Sequence, residues 1–174
     1  MISLVPVMID ASTLLNLLAT GRMEQIARSI ADTCLVCDVV EKECLTLRSA
    51  DGSRIEPVTI IPAIEALILH RCAMSEAEAD DYVTFSASID DGEAMSLAIA
   101  HARGYSLVTD DRKAREFAVG VGVEVYGTTA ILRPWAEENQ NADMGEVLGA
   151  IERRARFRPP EDDPNFVWWM GIHR

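Results

Sequence analysis

The sequence predicts an α/β protein, a three-layer α/β/α fold around a central, mainly parallel sheet. Three observations carry this. Two apolar runs, residues 4–9 and 105–108, each stop abruptly at acid, Asp10 in one case and Asp110-Asp111 in the other. Unbroken apolar runs mark strands buried on both faces. Strand-like and helix-like segments alternate from end to end, which is the pattern of βαβ units. In such sheets ligands bind just past the carboxyl ends of the strands, so both acids are expected at one functional edge.

The elements follow in order. Residues 4–9 form the first strand, and residues 12–18 a helix with Leu14, Leu15, Leu17 and Leu18 apolar. Gly21 breaks it, and Met23, Ile26, Ala27 and Ile30 restore helical spacing. Residues 33–37 read as a second strand. Asp38 is placed to cap a helix running to about residue 47. Residues 49–53 are a loop. Pro57 and Pro62 interrupt 54–73, where 55–61 reads as extended and 63–71 fits helix or strand, its first half favouring helix. Ser75 and Glu78 have capping-box spacing, which predicts a helix over 76–87. Asp90-Asp91-Gly92-Glu93 opens a helix that Gly104 ends. Strand 105–109, helix 112–119, strand 121–126 and a helix from Gly127 follow, then a last helix over 146–157. Pro159 to Pro164 reads as a linker. The tail holds Trp168 and Trp169, an exposed pair of which would be unfavourable, so it is expected to pack back.

At 174 residues the chain suits one domain with a full core. Residues 1–138 form its body, and 139–174 a C-terminal helix and a Pro-rich, Trp-containing tail packed on it. The formal net charge of −12 argues against broad electrostatic binding of nucleic acid, but not against a nuclease whose metal-binding carboxylates add to the deficit. Cys34-Leu35-Val36-Cys37 has C-x-x-C spacing, yet its apolar, strand-like setting and the lack of a second ligand pair favour buried, reduced thiols. No signal peptide or membrane span is apparent, and a cytoplasmic location is expected.

Four acidic positions stand at comparable places. Asp10 follows the first strand, Glu43 or Glu41 lies on the helix after the second, Glu93 is in a first helical turn, and Asp111 or Asp110 follows the strand at 105–109. Each has a plain structural alternative. Asp10 could cap a helix, Glu93 could complete a capping box with Asp90, Asp110-Asp111 could be a turn and cap, and Glu41 and Glu43 could be solvated. Taken together, clustered carboxylates must protonate or bind a cation, and hard oxygen donors select Mg²⁺ or Mn²⁺.

The motifs Asp10-Ala11-Ser12-Thr13-Leu14-Leu15-Asn16-Leu17, Val40-Glu41-Lys42-Glu43, Asp90-Asp91-Gly92-Glu93-Ala94 and Leu107-Val108-Thr109-Asp110-Asp111-Arg112 resemble the PIN-domain family. The likeness is greatest to the branch of VapC-type toxin ribonucleases. It runs over about residues 5–130, including Gly127-Thr128, and leaves out the tail from about 139. It implies a metal-dependent endoribonuclease with catalytic Asp10, Glu43, Glu93 and Asp111, of which Asp10, Glu93 and Asp111 hold Mg²⁺ or Mn²⁺. Ser12, Asn16 and Thr109 match polar residues around such sites, with Asp90 and Asp110 as supporting acids. Binding RNA would need a local basic patch, for which Arg112, Lys113 and Arg115 are the obvious source and Arg103 a further one; a solvated helix face is the alternative. The resemblance also implies a homodimer and, for a toxin, an antitoxin partner whose basic side chain reaches the carboxylates.

Two other classes compete. A non-catalytic scaffold with a vestigial acidic pocket would be expected to have lost one or two of the four acids, and all four are present. A receiver-type phosphoacceptor would need a Lys after a late strand, where this chain has Gly127.

Overall fold

The computed structural model describes residues 6–42 and 45–172. Five strands, β1 (Val7–Ile9), β2 (Cys34–Cys37), β5 (His70–Cys72), β6 (Ser106–Val108) and β7 (Val125–Tyr126), form one sheet in the order β5-β2-β1-β6-β7, and every pairing is parallel. The sheet is flanked by helices, giving the three-layer α/β arrangement expected. Val7, Met8 and Ile9 are fully buried, as befits the middle strand.

The chain winds outward from β1 to β2 and β5, then crosses back to the other side of β1 for β6 and β7. The reversal falls between β1 and β6, and the carboxyl end of such a switch point is where ligands bind in open α/β sheets.

Helix α1 (Ala11–Ala19) follows β1 directly, and Gly21, at φ +66°, makes the turn into α2 (Met23–Ile30). The helix expected from Asp38 to about residue 47 is shorter. Among the described residues α3 covers Asp38–Lys42, and Thr46–Arg48 is strand β3, paired antiparallel with β4 (Ile55–Pro57). Alternation favours the strand, since Leu47 is buried between two more exposed neighbours. The connecting loop is tied by Asp51, which accepts from Ser49 Oγ at 2.6 Å and Ser53 N at 3.0 Å. After α4 (Ile61–Glu65), residues 70–72, where sequence fitted helix or strand, become the edge strand β5.

A 3₁₀ turn (Glu76–Glu78) with the expected capping box leads into α5 (Ala79–Ser86). Helix α6 (Asp91–Arg103) ends at Gly104, which is left-handed at φ +67° as its place after the helix requires. Helix α7 (Arg112–Gly120) follows β6, and α8 (Thr128–Glu138) follows β7; β7 is shorter than the expected 121–126. The last expected helix divides into α9 (Met144–Ala150) and a π-helical turn (Ile151–Ala155), closed by Arg156 at φ +59°. The tail contains a helix the sequence did not announce, α10 (Phe166–Ile172). Its Trp169 is fully buried, donates to Glu152 Oε1 at 2.9 Å, and meets the ring of Phe157 edge-on at 5.8 Å. Among the described residues no helix is long and apolar enough to cross a membrane.

Candidate active site

Asp10 and the Thr109-Asp110-Asp111 turn come together because β1 and β6 are neighbours in register, Ile9 opposite Val108. The Asp10 N–H continues the ladder to Val108 O at 3.1 Å. Asp10 then caps α1, its Oδ1 accepting from Thr13 N at 2.8 Å. Its Oδ2 accepts from Ser12 Oγ at 2.8 Å and Thr109 Oγ1 at 2.7 Å. The carboxyl is buried, and burial raises its pKa against the opposing pull of these hydrogen bonds.

Glu93 enters from α6. Its Oε2 accepts from the Asp90 N–H at 3.4 Å, and the Asp90 side chain accepts from the Glu93 N–H, so the capping box is real. The cap also aims Glu93 inward. Asp10, Ser12, Val40, Asp90 and Glu93 line one cavity of about 170 Å³. Burial first, then the charges of Asp111 and Asp10, push the Glu93 carboxyl up to about 7. Asp111 itself caps α7, accepting from Ala114 N at 2.8 Å, while its own N–H donates to Thr109 Oγ1 at 3.1 Å. The capping alternative and the clustering are therefore both true, because a cap at a strand's carboxyl end places an acid at the crevice.

Asp110 points to the other side of the turn. It accepts from Asn16 Nδ2 at 2.9 Å, from Thr128 N at 2.8 Å and from the Thr128 hydroxyl, and burial lifts its pKa to about 6. Asn16 also donates to Thr128 Oγ1 at 3.0 Å. Thr128 stands in the sequence only as part of the Gly127-Thr128 match, and its hold on Asp110 comes from the structure. Its signal was a hydroxyl at the start of the helix after the last strand.

Glu41 is held by Arg71 through two hydrogen bonds, 2.6 and 2.7 Å, which lower its pKa. Glu43 lies outside the described residues. Among the described residues, none of Asp10, Glu93, Asp110 and Asp111 is ion-paired, and no three His, Cys, Asp or Glu side chains are arranged to hold a metal ion.

The basic residues are more dispersed than the sequence suggested. Arg112 pairs with Glu116 at 2.8 Å. With Arg115 it lines a groove of about 380 Å³ that also holds Asp110, Glu116, Asp162 and Asp163. Lys113 faces a different groove, with Ser88, Ile89 and Phe117. Arg103 is taken by Glu78 at 2.6 Å and by Ala73 O at 3.0 Å, so it does not serve a basic patch.

A family model described as a PIN domain (DUF3368) matches residues 6–163. The chain belongs to the PIN-domain family. A search of curated proteins finds no match. The PIN match reaches Asp163, so it takes in α9 and the Pro-rich turn that the resemblance, ending near 130, left out. PIN domains are generally nucleases and typically use divalent metal ions. The donor type suits such an ion, since Asp10 and Glu93 line one cavity, the charge of Asp111 acts on Glu93, and none of the three is ion-paired among the described residues.

Proposed function

We propose that this PIN domain is a metal-dependent endoribonuclease that hydrolyses RNA phosphodiester bonds. The supporting observation is Glu93, lifted to about 7 by burial and by the charges of Asp111 and Asp10. Carboxylates pressed together without a protein cation are relieved by protonation or by a hard divalent ion. Asp10, Glu93 and Asp111 would hold Mg²⁺ or Mn²⁺, with Glu43 as the fourth catalytic acid. When bound, such an ion lowers the pKa of water and stabilises charge on the phosphodiester.

The chain's own residues orient the donors. Thr109 and Ser12 fix Asp10 Oδ2, the Asp90 N–H holds Glu93, and Asn16 with Thr128 fixes Asp110. Arg112 and Arg115, in the groove that holds Asp110, would meet RNA at the rim, while Lys113, expected to join them, faces another groove. The VapC-type form of this reading makes the chain a cytoplasmic toxin, homodimeric, with an antitoxin that covers the carboxylates.

A non-catalytic scaffold is the second reading. It is favoured by the lack, among the described residues, of three side chains arranged to hold an ion. Calorimetric titration of Mn²⁺ separates the two. Binding by the wild type that is lost in both Asp10→Asn and Asp111→Asn supports the nuclease and should be matched by lost RNA cleavage. No binding at millimolar Mn²⁺ leaves the scaffold.

A further inference from the structure

We infer that the cavity between the far end of α1 and the π-helical turn is a binding site for a phosphate group, separate from the carboxylate crevice. The chain has 28 acidic and 16 basic residues, so arginines should be claimed by carboxylates. Several are, as Arg71, Arg103, Arg112 and Arg133 show. Arg22 and Arg153 have no carboxylate partner among the described residues, yet both line one cavity of about 440 Å³ together with Arg154.

One of the three guanidiniums is positioned in advance. Arg154 donates to Ala19 O at 3.0 Å and Arg48 O at 3.2 Å, which uses carbonyls and leaves its charge uncancelled. Arg153 lies over Gly149, where a Cβ would stand 2.7 Å from Nη1, so the bare backbone there leaves room for its guanidinium. Gln25 adds an amide to the lining, and Glu146 the one opposing carboxylate. Three arginines lining one cavity against a single carboxylate, with no ion pair to any of them among the described residues, suit a phosphate, which takes paired N–H donors. Helix α1 separates the cavity from Asp10 by its own length, roughly 13 Å.

The test is calorimetric titration with three probes, inorganic phosphate, a 5′-mononucleotide and a short single-stranded oligoribonucleotide, in chelator-containing buffer. It is run on the wild type and on Asp10→Asn, so a failure of the nuclease reading leaves this result standing. Arg22→Ala and Arg153→Ala should each weaken binding about tenfold. Glu146→Gln should tighten it, which a purely structural role would not do, and Arg28→Ala on α2 should change nothing. Thermal melts confirm that the variants fold. Binding of all three probes marks a small-anion site, and binding of the oligonucleotide alone assigns the phosphate to an RNA chain. If no probe binds at millimolar concentration, or if binding survives loss of both Arg22 and Arg153, the inference is overturned.

Discussion

Thr109 Oγ1 donates to Asp10 Oδ2 at 2.7 Å and accepts from the Asp111 N–H at 3.1 Å. One buried hydroxyl thus joins the carboxyl end of β1 to the start of α7 and sets the spacing of two acids. Thr109→Val keeps the shape and removes both bonds. It should cost about 1–3 kcal/mol, because a buried carboxylate loses a donor. Urea unfolding measures this. The loss should be larger at neutral pH than in acid, since the bond favours the ionised form of Asp10.

The Glu93 carboxyl at about 7 and the Asp110 carboxyl at about 6 both stand above their ordinary values of 4.5 and 3.8. The folded state therefore prefers both protonated. Their contribution to stability is complete below the ordinary values and is lost as pH rises through the folded ones. The cation-free protein should melt at a lower temperature above pH 7 than near pH 5. Glu93→Gln should flatten that slope and, at alkaline pH, stabilise by about 1–2 kcal/mol, a range reduced for the partial exposure of Glu93.

Divalent ion should act most strongly where the carboxylates are ionised. Adding Mg²⁺ or Mn²⁺ should raise the melting temperature little near pH 5 and clearly above pH 7, because binding requires the deprotonated acids. Differential scanning fluorimetry across that range checks it. An equal effect at both ends of the range would place the ion elsewhere.

The Thr128 hydroxyl and N–H and the Asn16 amide all converge on Asp110. Thr128→Val should destabilise by about 1–3 kcal/mol by orphaning a buried donor and acceptor. If Asp110 only supports the site, Mn²⁺ affinity should fall far less in Thr128→Val than in Asp111→Asn, which calorimetry resolves.

We propose that residues 139–174 belong to the same folding unit as the body. Trp169 is fully buried and its indole is hydrogen-bonded to Glu152. Trp169→Ala should cost about 3–5 kcal/mol, and unfolding of the parent should remain a single transition by both tryptophan fluorescence and circular dichroism. Two separate transitions would make the tail an independent element.

By itself the sequence determined what depends on neighbours along the chain. Apolar runs stopping at Asp10 and Asp110, capping-box spacing at Ser75 and Asp90, and the glycine after α6 are local patterns, and local backbone physics enforces them. It named Asp10, Glu93 and Asp111 as acids at strand and helix ends. Thr46–Arg48 became a strand through its hairpin pairing with β4, and Phe166–Ile172 a helix that buries Trp169. Only the tertiary structure decided which ends meet. The order β5-β2-β1-β6-β7 puts Asp10 beside Thr109 and turns Asp111 and Asp10 toward Glu93. The same packing gave Glu41 to Arg71, took Arg103 for Glu78, and set Arg22 and Arg153 along one cavity with no ion pair to either among the described residues. Charge partners are chosen by proximity in space, and the strand order that sets proximity is a property of the whole chain.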